Sequence, residues 1–282
     1  MKKIFWTAKY DRVFKTILCD ERNIHLMKEF LSRVLEREVQ TVKFLRNELP
    51  VTNTKEKVKT VDVLAEVDGE YIHIEINTGY GKYVHVKSFE YFTTVYNLKT
   101  KRGDFYDAKT KFLHIDFTYH LGQDVPVREI YQVQSKTTGR NYIDNFTILE
   151  FNMDLIMKLW YDKDKEILEK YKHLIMLDVS DFEEIGKGDG FVEEFGKKVS
   201  ELNEDEYFQS FMTIEEDREY SFNTEKMEAY DNGLEEGIEQ GIEQGIEQNK
   251  IVIAKTMLQE NMDKSLIAKI TGLSLEEIDE LQ

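Results

Sequence analysis

Two strand patterns joined by a tight turn constrain the fold of this chain most strongly. Between residues 71 and 77, isoleucines at every second position alternate with polar residues, which is the period of a strand with one buried face. Residues 58–67 form the preceding strand pattern, and the intervening Asp68-Gly69 pair tolerates the positive φ of a hairpin turn. The sequence therefore predicts a β-hairpin whose second strand has one apolar and one polar face.

Further patterns on both sides of the hairpin predict a mixed α/β layer. Apolar residues three and four apart predict helices at 23–35, 83–99, 155–171 and 191–202. Apolar runs predict strands at 41–45, 111–117, 129–133 and 146–151. The helix at 83–99 places Phe89, Phe92 and Tyr96 at helical spacing, so we expect these rings to pack in the core rather than to stack on bases. At 282 residues, 41% of them apolar, the chain can bury one large core.

The C-terminal segment differs in character from the rest of the chain. Residues 233–249 form a four-residue repeat, Gly-Leu-Glu-Glu followed by three copies of Gly-Ile-Glu-Gln and an Asn. In a helix each repeat turns through about 400°, so that the Gly/Ile stripe winds slowly around the axis. Each glycine costs roughly 1 kcal/mol in a helix. The segment is therefore either a solvated acidic spacer or a helix that recovers this cost by close self-association into a homo-oligomer.

The chain is expected to divide into three parts. These are an α/β domain at 1–225, the repeat segment at 226–249 and a small helical module at 250–282. In the module, two short helices flank a turn near Thr271, with Ser274 as N-cap and Glu277 in the capping-box position. The whole tail is acidic and helical.

Charge is distributed unevenly along the chain. The net charge is −17, yet residues 1–120 carry +4 and the remainder −21. The N-terminal half can therefore approach a polyanion such as DNA, whereas the acidic half is better suited to protein contact. A DNA-reading helix-turn-helix ranks last among the interpretations of the final helix pair, because Glu276, Glu277, Asp279 and Glu280 stand where phosphate contacts require Lys or Arg.

Cysteine use and hydropathy predict a cytoplasmic protein. The single cysteine, Cys19, excludes an internal disulfide and a Cys-rich zinc cluster. The apolar stretch at residues 4–6 is too short for a signal peptide, and no apolar run approaches the roughly 18 residues of a membrane span. We therefore expect neither secretion nor membrane association.

The hairpin carries a candidate metal site. Glu75 and Asn77 lie two apart on the polar face of the second strand, and Asp62 joins them if it points to the same side. Carboxylate oxygens are the ligands that Mg²⁺ prefers, and the backbone carbonyl of Ile76 can complete the set. On spacing alone, these residues equally fit a sheet face that is merely solvated.

Several motifs carry a family resemblance. They are Asp11-Arg-Val-Phe-Lys15, similar to D-x-x-F-K; Val61-Asp62-Val63-Leu64-Ala65 with Gly69 and Ile74-Glu75-Ile76-Asn77, similar to D…G…E-x-Q; and Lys87-Ser-Phe-Glu-Tyr91, similar to R-x-x-x-Y. The Gly-Ile-Glu-Gln repeats and the final helix pair are similar to a C-terminal signature of the same family. On these residues the chain resembles the PD-(D/E)XK nuclease family transposases, also called Rpn-like recombination-promoting nucleases.

This resemblance implies a restriction-endonuclease-like mixed β-sheet flanked by helices. It further implies a DNA endonuclease that depends on Mg²⁺ or Mn²⁺ and acts in recombination or transposition-like DNA cleavage. Asp62 and Glu75 then bind the metal, while Asn77 stands where the superfamily has a catalytic Lys and this family usually has Gln. Lys87, on the following helix, can supply the missing cation.

Alternatives stay open at this point. Asp11 and Lys15 either support the site or only cap and solvate the first helix, and Lys87 equally fits a solvated helix face. The neutral Asn77 and the net charge of −17 favour a rival function. In that function, a catalytically inactive nuclease fold serves as an oligomerising or partner-binding module.

Overall fold

The computed structural model describes residues 4–46, 48–49, 59–60, 62–78, 84–98 and 109–281. The chain divides between residues 209 and 210 into an N-terminal and a C-terminal unit. Among the helices in these ranges, none is both long enough and apolar enough to cross a membrane.

A six-stranded mixed sheet organises the N-terminal unit. Its strands are β1 (Val42–Phe44), β4 (Val63–Val67), β5 (Glu70–Asn77), β6 (Phe112–Thr118), β7 (Arg128–Gln132) and β8 (Phe146–Asn152), and a separate pair is formed by β2 (Glu48–Leu49) and β3 (Lys59–Thr60). The large sheet has the order β1-β4-β5-β6-β8-β7. The β5–β6 and β6–β8 pairs are parallel and the other neighbours antiparallel, which confirms the predicted mixed sheet.

The predicted hairpin is present as β4 and β5. Asp68 and Gly69 adopt φ values of 50° and 83° in the turn, and the Asp68 carboxylate accepts hydrogen bonds from the backbone N–H groups of Gln40 and Thr41. The strand predicted at 58–67 is found as β3 and β4, with Asp62 in a bend before β4. Positions 58 and 61 lie outside the described residues.

Seven α-helices are described in the N-terminal unit before residue 206. They are α1 (Asp11–Leu18), α2 (Ile24–Val34), α3 (Val84–Leu98), α4 (Met153–Tyr161), α5 (Lys165–Ile175), α6 (Glu183–Gly186) and α7 (Gly190–Glu204). The single helix predicted at 155–171 is wrong, since α4 and α5 replace it. Lys163 has a φ of 63°, and the side chain of Asp164 caps α5 by accepting from the N–H groups of Glu166 and Ile167.

The two faces of the sheet differ in polarity. One face is apolar and buries an aromatic cluster in which Phe30 packs on Phe14 and Phe117, and Phe117 on Phe151. The other face carries the polar side chains of β5, β6 and β8, and α3 packs on it through residues that include Phe92. The expectation that Phe89 is a core residue is wrong, because its side chain is 51% exposed.

The C-terminal unit consists mainly of helix. α8 (Glu206–Gln259) begins just before the division between the units and contains the whole glycine repeat, and α9 (Lys264–Thr271) and α10 (Leu275–Glu280) follow it. The predicted capping box of Ser274 and Glu277 is present. Ala254, Ile267 and Ile278 are fully buried in a small core. The predicted boundaries at 225 and 249 both fall inside α8.

Candidate active site

The hairpin brings Asp62 and Glu75 together. Asp62 lies one position beyond the Val63–Ile74 pair, which places it opposite Glu75. The Asp62 N–H donates to Glu75 Oε1 at 3.2 Å, and the Ile76 N–H donates to Asp62 Oδ2 at 2.9 Å. The Glu75 side chain is 1% exposed and that of Asp62 19%, so solvent reaches the pair from the Asp62 side.

A lysine from α1 contacts Asp62. Lys15 Nζ lies 3.1 Å from Asp62 Oδ1 and 2.6 Å from Asp11 Oδ2. Burial disfavours the charged ammonium, but Asp62 and Asp11 together raise the pKa of Lys15. The structure thus places both predicted supporting residues near the carboxylate pair: Lys15 contacts Asp62 directly, and Asp11 contacts Lys15.

Lys87 and His73 contact the other carboxylate. Lys87 Nζ of α3 lies 3.3 Å from Glu75 Oε2, and His73 Nε2 lies 3.0 Å from Glu75 Oε1. Burial disfavours the charged form of Lys87, but the nearby Glu75 carboxylate raises the pKa of this lysine. Burial is also the main reason why the pKa of His73 is lowered. The alternation of β5 places His73 on the same strand face as Glu75, and the structure brings the two side chains into contact.

The two carboxylates have opposite pKa shifts. Burial, and next the charge of Glu75, raise the pKa of Asp62. Burial would raise the pKa of Glu75 too, but the hydrogen bond with His73 and the nearby Lys87 leave it lowered. Repulsion between the two carboxylates therefore disfavours the ionised form of Asp62, and a bound cation would relieve this repulsion.

Asn77 makes its contacts away from this pair. Its Nδ2 donates to Asp116 Oδ1 at 2.8 Å and to Ser88 Oγ at 3.3 Å, and Ser88 Oγ donates to the same Asp116 oxygen at 3.2 Å. Asn77 is 5% exposed. Its predicted catalytic role stays a prediction, and Asp116 is a partner that sequence reasoning missed.

Asp116 belongs to a row of buried acids across three strands. Glu75 on β5 pairs in register with Asp116 on β6, and Asp116 with Glu150 on β8. All three side chains are almost fully buried. An acid inside an otherwise apolar parallel strand, as at positions 116 and 150, was the sequence signal for these residues.

The donor set suits a hard divalent cation. Mg²⁺ is commonly held by one or two carboxylates together with several waters. Asp62 and Glu75 provide such a pair, and the raised pKa of Asp62 means that its ionised form is disfavoured in the free protein. Among the described residues, no group of three or more His, Cys, Asp or Glu side chains is arranged to hold a metal ion. The ligand role of the Ile76 carbonyl stays a prediction.

Two family models match parts of this chain. One family model, described as PD-(D/E)XK nuclease family transposase, matches residues 8–236. Another, described as the C-terminal HTH domain of the Rpn/YhgA-like nuclease family, matches residues 247–282. The ranking of the helix-turn-helix as the last interpretation of the final helix pair is therefore wrong. No curated protein and no solved structure matches the chain. Since the first match spans most of the sequence, including α1, the hairpin and α3, the chain belongs to the PD-(D/E)XK nuclease family transposases.

Proposed function

We propose that this protein is a Mg²⁺- or Mn²⁺-dependent endonuclease that hydrolyses DNA phosphodiester bonds in recombination or transposition-like cleavage. One observation carries the proposal: Asp62 and Glu75 lie side by side in a chain of a nuclease family, each with a lysine at one oxygen. The backbone N–H groups of Asp62 and Ile76 donate to the Glu75 and Asp62 carboxylates, respectively, and hold both carboxylates in place before any ion binds.

Each residue of the site has a role in this proposal. Asp62 and Glu75 would hold the ion, which when bound would lower the pKa of a water and offset the negative charge of the phosphate. His73 fixes the orientation of Glu75 through its hydrogen bond. Lys15 and Lys87 each neutralise one carboxylate in the free protein, and both ammonium groups can turn to phosphate oxygens when DNA is bound.

DNA is proposed to approach through the N-terminal half of the chain. Residues 1–120 carry a net charge of +4, whereas the remainder carries −21, so phosphates are attracted more strongly to the first 120 residues. The matched HTH domain supports DNA as a partner of the whole chain. We also propose the functional division at 1–225, 226–249 and 250–282, and a cytoplasmic location in which Cys19 stays reduced.

Divalent metal should switch cleavage on. We expect the purified protein to nick supercoiled plasmid in Mg²⁺ or Mn²⁺ and to leave it intact in EDTA. Ca²⁺, as a binding control, should raise the unfolding temperature, because an ion at about 100 times its Kd adds about 2.7 kcal/mol to stability. For a domain of this size, that corresponds to roughly 5–10 °C. Intact plasmid in both metals, with no thermal shift, would leave the binding-module function as the better account.

A separate observation favours self-association by the tail. Four apolar side chains recur every fourth residue on α8 and are more than half exposed: Leu234, Ile238, Ile242 and Ile246. Exposed apolar rows on a helix are typical of helix–helix contacts. We propose that this row joins copies of the chain, whether or not the nuclease site is active.

Changing the apolar row should alter the oligomeric state. We expect light scattering to show more than one chain per particle for the parent and one for the triple variant Ile238→Gln, Ile242→Gln, Ile246→Gln. The matched control, Glu239→Gln, Glu243→Gln, Glu247→Gln, changes neighbouring exposed positions and should keep the parental mass. Equal masses for all three proteins would mean that residues 233–249 are a solvated spacer.

A further inference from the structure

A cavity of about 420 Å³ lies between α3 and the strands β6, β8 and β7. This volume is within the range of small-molecule sites. Phe89 lies on its wall with an exposed ring, and Asp116 and Glu150 line it with buried carboxylates. The cavity is next to the candidate active site but contains neither Asp62 nor Glu75.

The carboxylate of Glu150 is fixed by its neighbours. Its Oε1 lies 2.7 Å from His85 Nε2 and accepts from Thr118 Oγ1 at 2.9 Å. Its Oε2 lies 2.9 Å from the Tyr131 hydroxyl, whose single hydrogen is shared with Glu129 Oε2 at 2.6 Å. Asp116 is held by Asn77 and Ser88, as described above. Two oriented, buried acceptors therefore face the same cavity.

His114 provides an independent sign of a ligand. It lines the cavity, is fully buried, and neither ring nitrogen has a hydrogen-bond partner among the described residues. Its Nε2 lies 3.0 Å from Asp116 Oδ1 but outside hydrogen-bond geometry. A buried polar group without a partner is costly and rare in folded proteins, so the lining has hydrogen-bonding capacity that the described part of the chain does not use.

The chemistry of the lining restricts the ligand. Two carboxylates oppose an anionic group, and within the described part of the chain no His, Cys, Asp and Glu cluster is arranged to hold a metal. The lining instead fits a flat ring with N–H donors, since carboxylates accept from exocyclic amino groups such as cytosine N4. An exposed aromatic ring such as that of Phe89 offers a stacking surface for a base.

The register of the sheet places this cavity close to the cleavage site. Glu75, Asp116 and Glu150 lie in one row across three strands, so neighbouring strands about 4.8 Å apart put Glu150 roughly 10 Å from Glu75. That is about three times the 3.4 Å rise per nucleotide of a DNA strand. A base near a phosphate bound at Asp62 and Glu75 can therefore reach the cavity.

We propose that this cavity binds a nucleobase that carries an exocyclic amino group, with the amino group on the Asp116 and Glu150 carboxylates and the ring against Phe89. The proposal rests on the proposed nuclease function, because it makes the bound base part of the DNA substrate. Such a base must leave the duplex stack, which costs a few kcal/mol. The site therefore favours unpaired strands and cytosine, adenine or guanine over thymine.

Binding measured in EDTA tests the proposal without cleavage. We expect short single strands of deoxycytidylate to bind the full-length protein about 5–150-fold more tightly than deoxythymidylate strands of equal length, the range for one well-placed base contact. Glu150→Gln should bring this ratio close to one. Phe89→Ala should weaken both strands about 5–150-fold, as loss of one stacking partner does, and Phe89→Tyr should restore them. Equal affinity of the parent for both strands, or an unchanged ratio in Glu150→Gln, would overturn the proposal.

Two further arms identify the source of the base and separate this proposal from the nuclease function. Free deoxycytidine monophosphate that binds as tightly as the strand would identify a mononucleotide as the ligand, whereas much weaker binding identifies the DNA strand. A parent that cleaves plasmid but lacks the base preference refutes only the cavity proposal. A parent that shows the preference but fails to cleave refutes only the nuclease function.

Discussion

Asp62→Asn should lower plasmid cleavage by about 10³-fold or more while the protein stays folded. The ion supplies several kcal/mol of stabilisation to charge in the transition state, and each 1.4 kcal/mol is a factor of ten in rate. Asn keeps the shape of Asp62 and its acceptor for the Ile76 N–H, but removes the anionic oxygen that binds the ion. Glu75→Gln should have the same effect, which the nicking rate in Mg²⁺ measures.

Asp62→Asn should not lose stability at neutral pH. The folded-state pKa of Asp62 is raised by burial and by Glu75, so its contribution to stability is full below the unfolded pKa and is lost as pH rises through the folded pKa. At pH 7, Asn therefore removes an unfavourable charge, and Lys15 retains Asp11 as a partner. An unfolding temperature at or above that of the parent is expected.

Glu66→Gln is the matched control for this experiment. Glu66 lies on the same hairpin but is half-buried and pairs with Tyr71 across the strands, away from the Asp62 and Glu75 carboxylates. It should cleave plasmid at the parental rate. Parental rates in both Asp62→Asn and Glu75→Gln would exclude these carboxylates as ligands.

Asn77→Ala should reduce the cleavage rate by a factor of about 10–100, the loss typical of removing an outer partner of a site, because the Asn77 amide donates to Asp116 and Ser88. The variant also leaves Asp116 and Ser88 without the Asn77 donor, so a stability loss of about 1–3 kcal/mol should accompany it. Asn77→Gln keeps the amide and restores the usual residue of the family, so it should stay within about tenfold of the parent. Nicking rates at one salt and one Mg²⁺ concentration, together with unfolding temperatures, measure both effects.

The pattern among the variants separates an active site from an inactive one. If Asn77 acts by positioning Asp116 next to the site, Asn77→Gln should recover the cleavage rate that Asn77→Ala loses. Both variants should keep the rise in unfolding temperature that Ca²⁺ causes in the parent. If the protein is a scaffold, neither variant changes any measured function, and only Asn77→Lys, which rebuilds the superfamily pattern beside Glu75, should gain cleavage. A full cleavage rate in Asn77→Ala would show that Asn77 has no catalytic role.

Local chemistry explains which parts of the fold were predictable. The alternation in β5 and the Asp68-Gly69 turn specify the hairpin, and a two-residue turn fixes the register that places Asp62 opposite Glu75. The break between α4 and α5 was missed because the apolar spacing continues through it. There, the positive φ of Lys163 and the cap formed by Asp164 outweigh that spacing.

The rest of the site depends on contacts that sequence spacing does not encode. Parallel strands are joined by long crossovers rather than by tight turns, so no local pattern sets Asp116 beside Glu75 or Glu150 beside Asp116. Lys15 reaches Asp62 from a helix 47 residues away, and only the family resemblance pointed to it. Phe89 matched the apolar spacing of α3, but spacing does not tell which apolar side chains face solvent.

The Asp62 N–H donates to the Glu75 carboxylate and the Ile76 N–H to the Asp62 carboxylate, and this pairing makes the length of the hairpin turn a determinant of the chemistry. Side chains on a strand alternate between faces, so a slip of one residue between β4 and β5 would turn Asp62 and Glu75 to opposite sides of the sheet. Both acids would still be present in the chain, yet they would share no space for an ion. Insertions and deletions at Asp68-Gly69 are thus as damaging to this centre as replacement of its ligands, and an intact pair of acids in a related sequence indicates a working site only when the spacing between them is intact too.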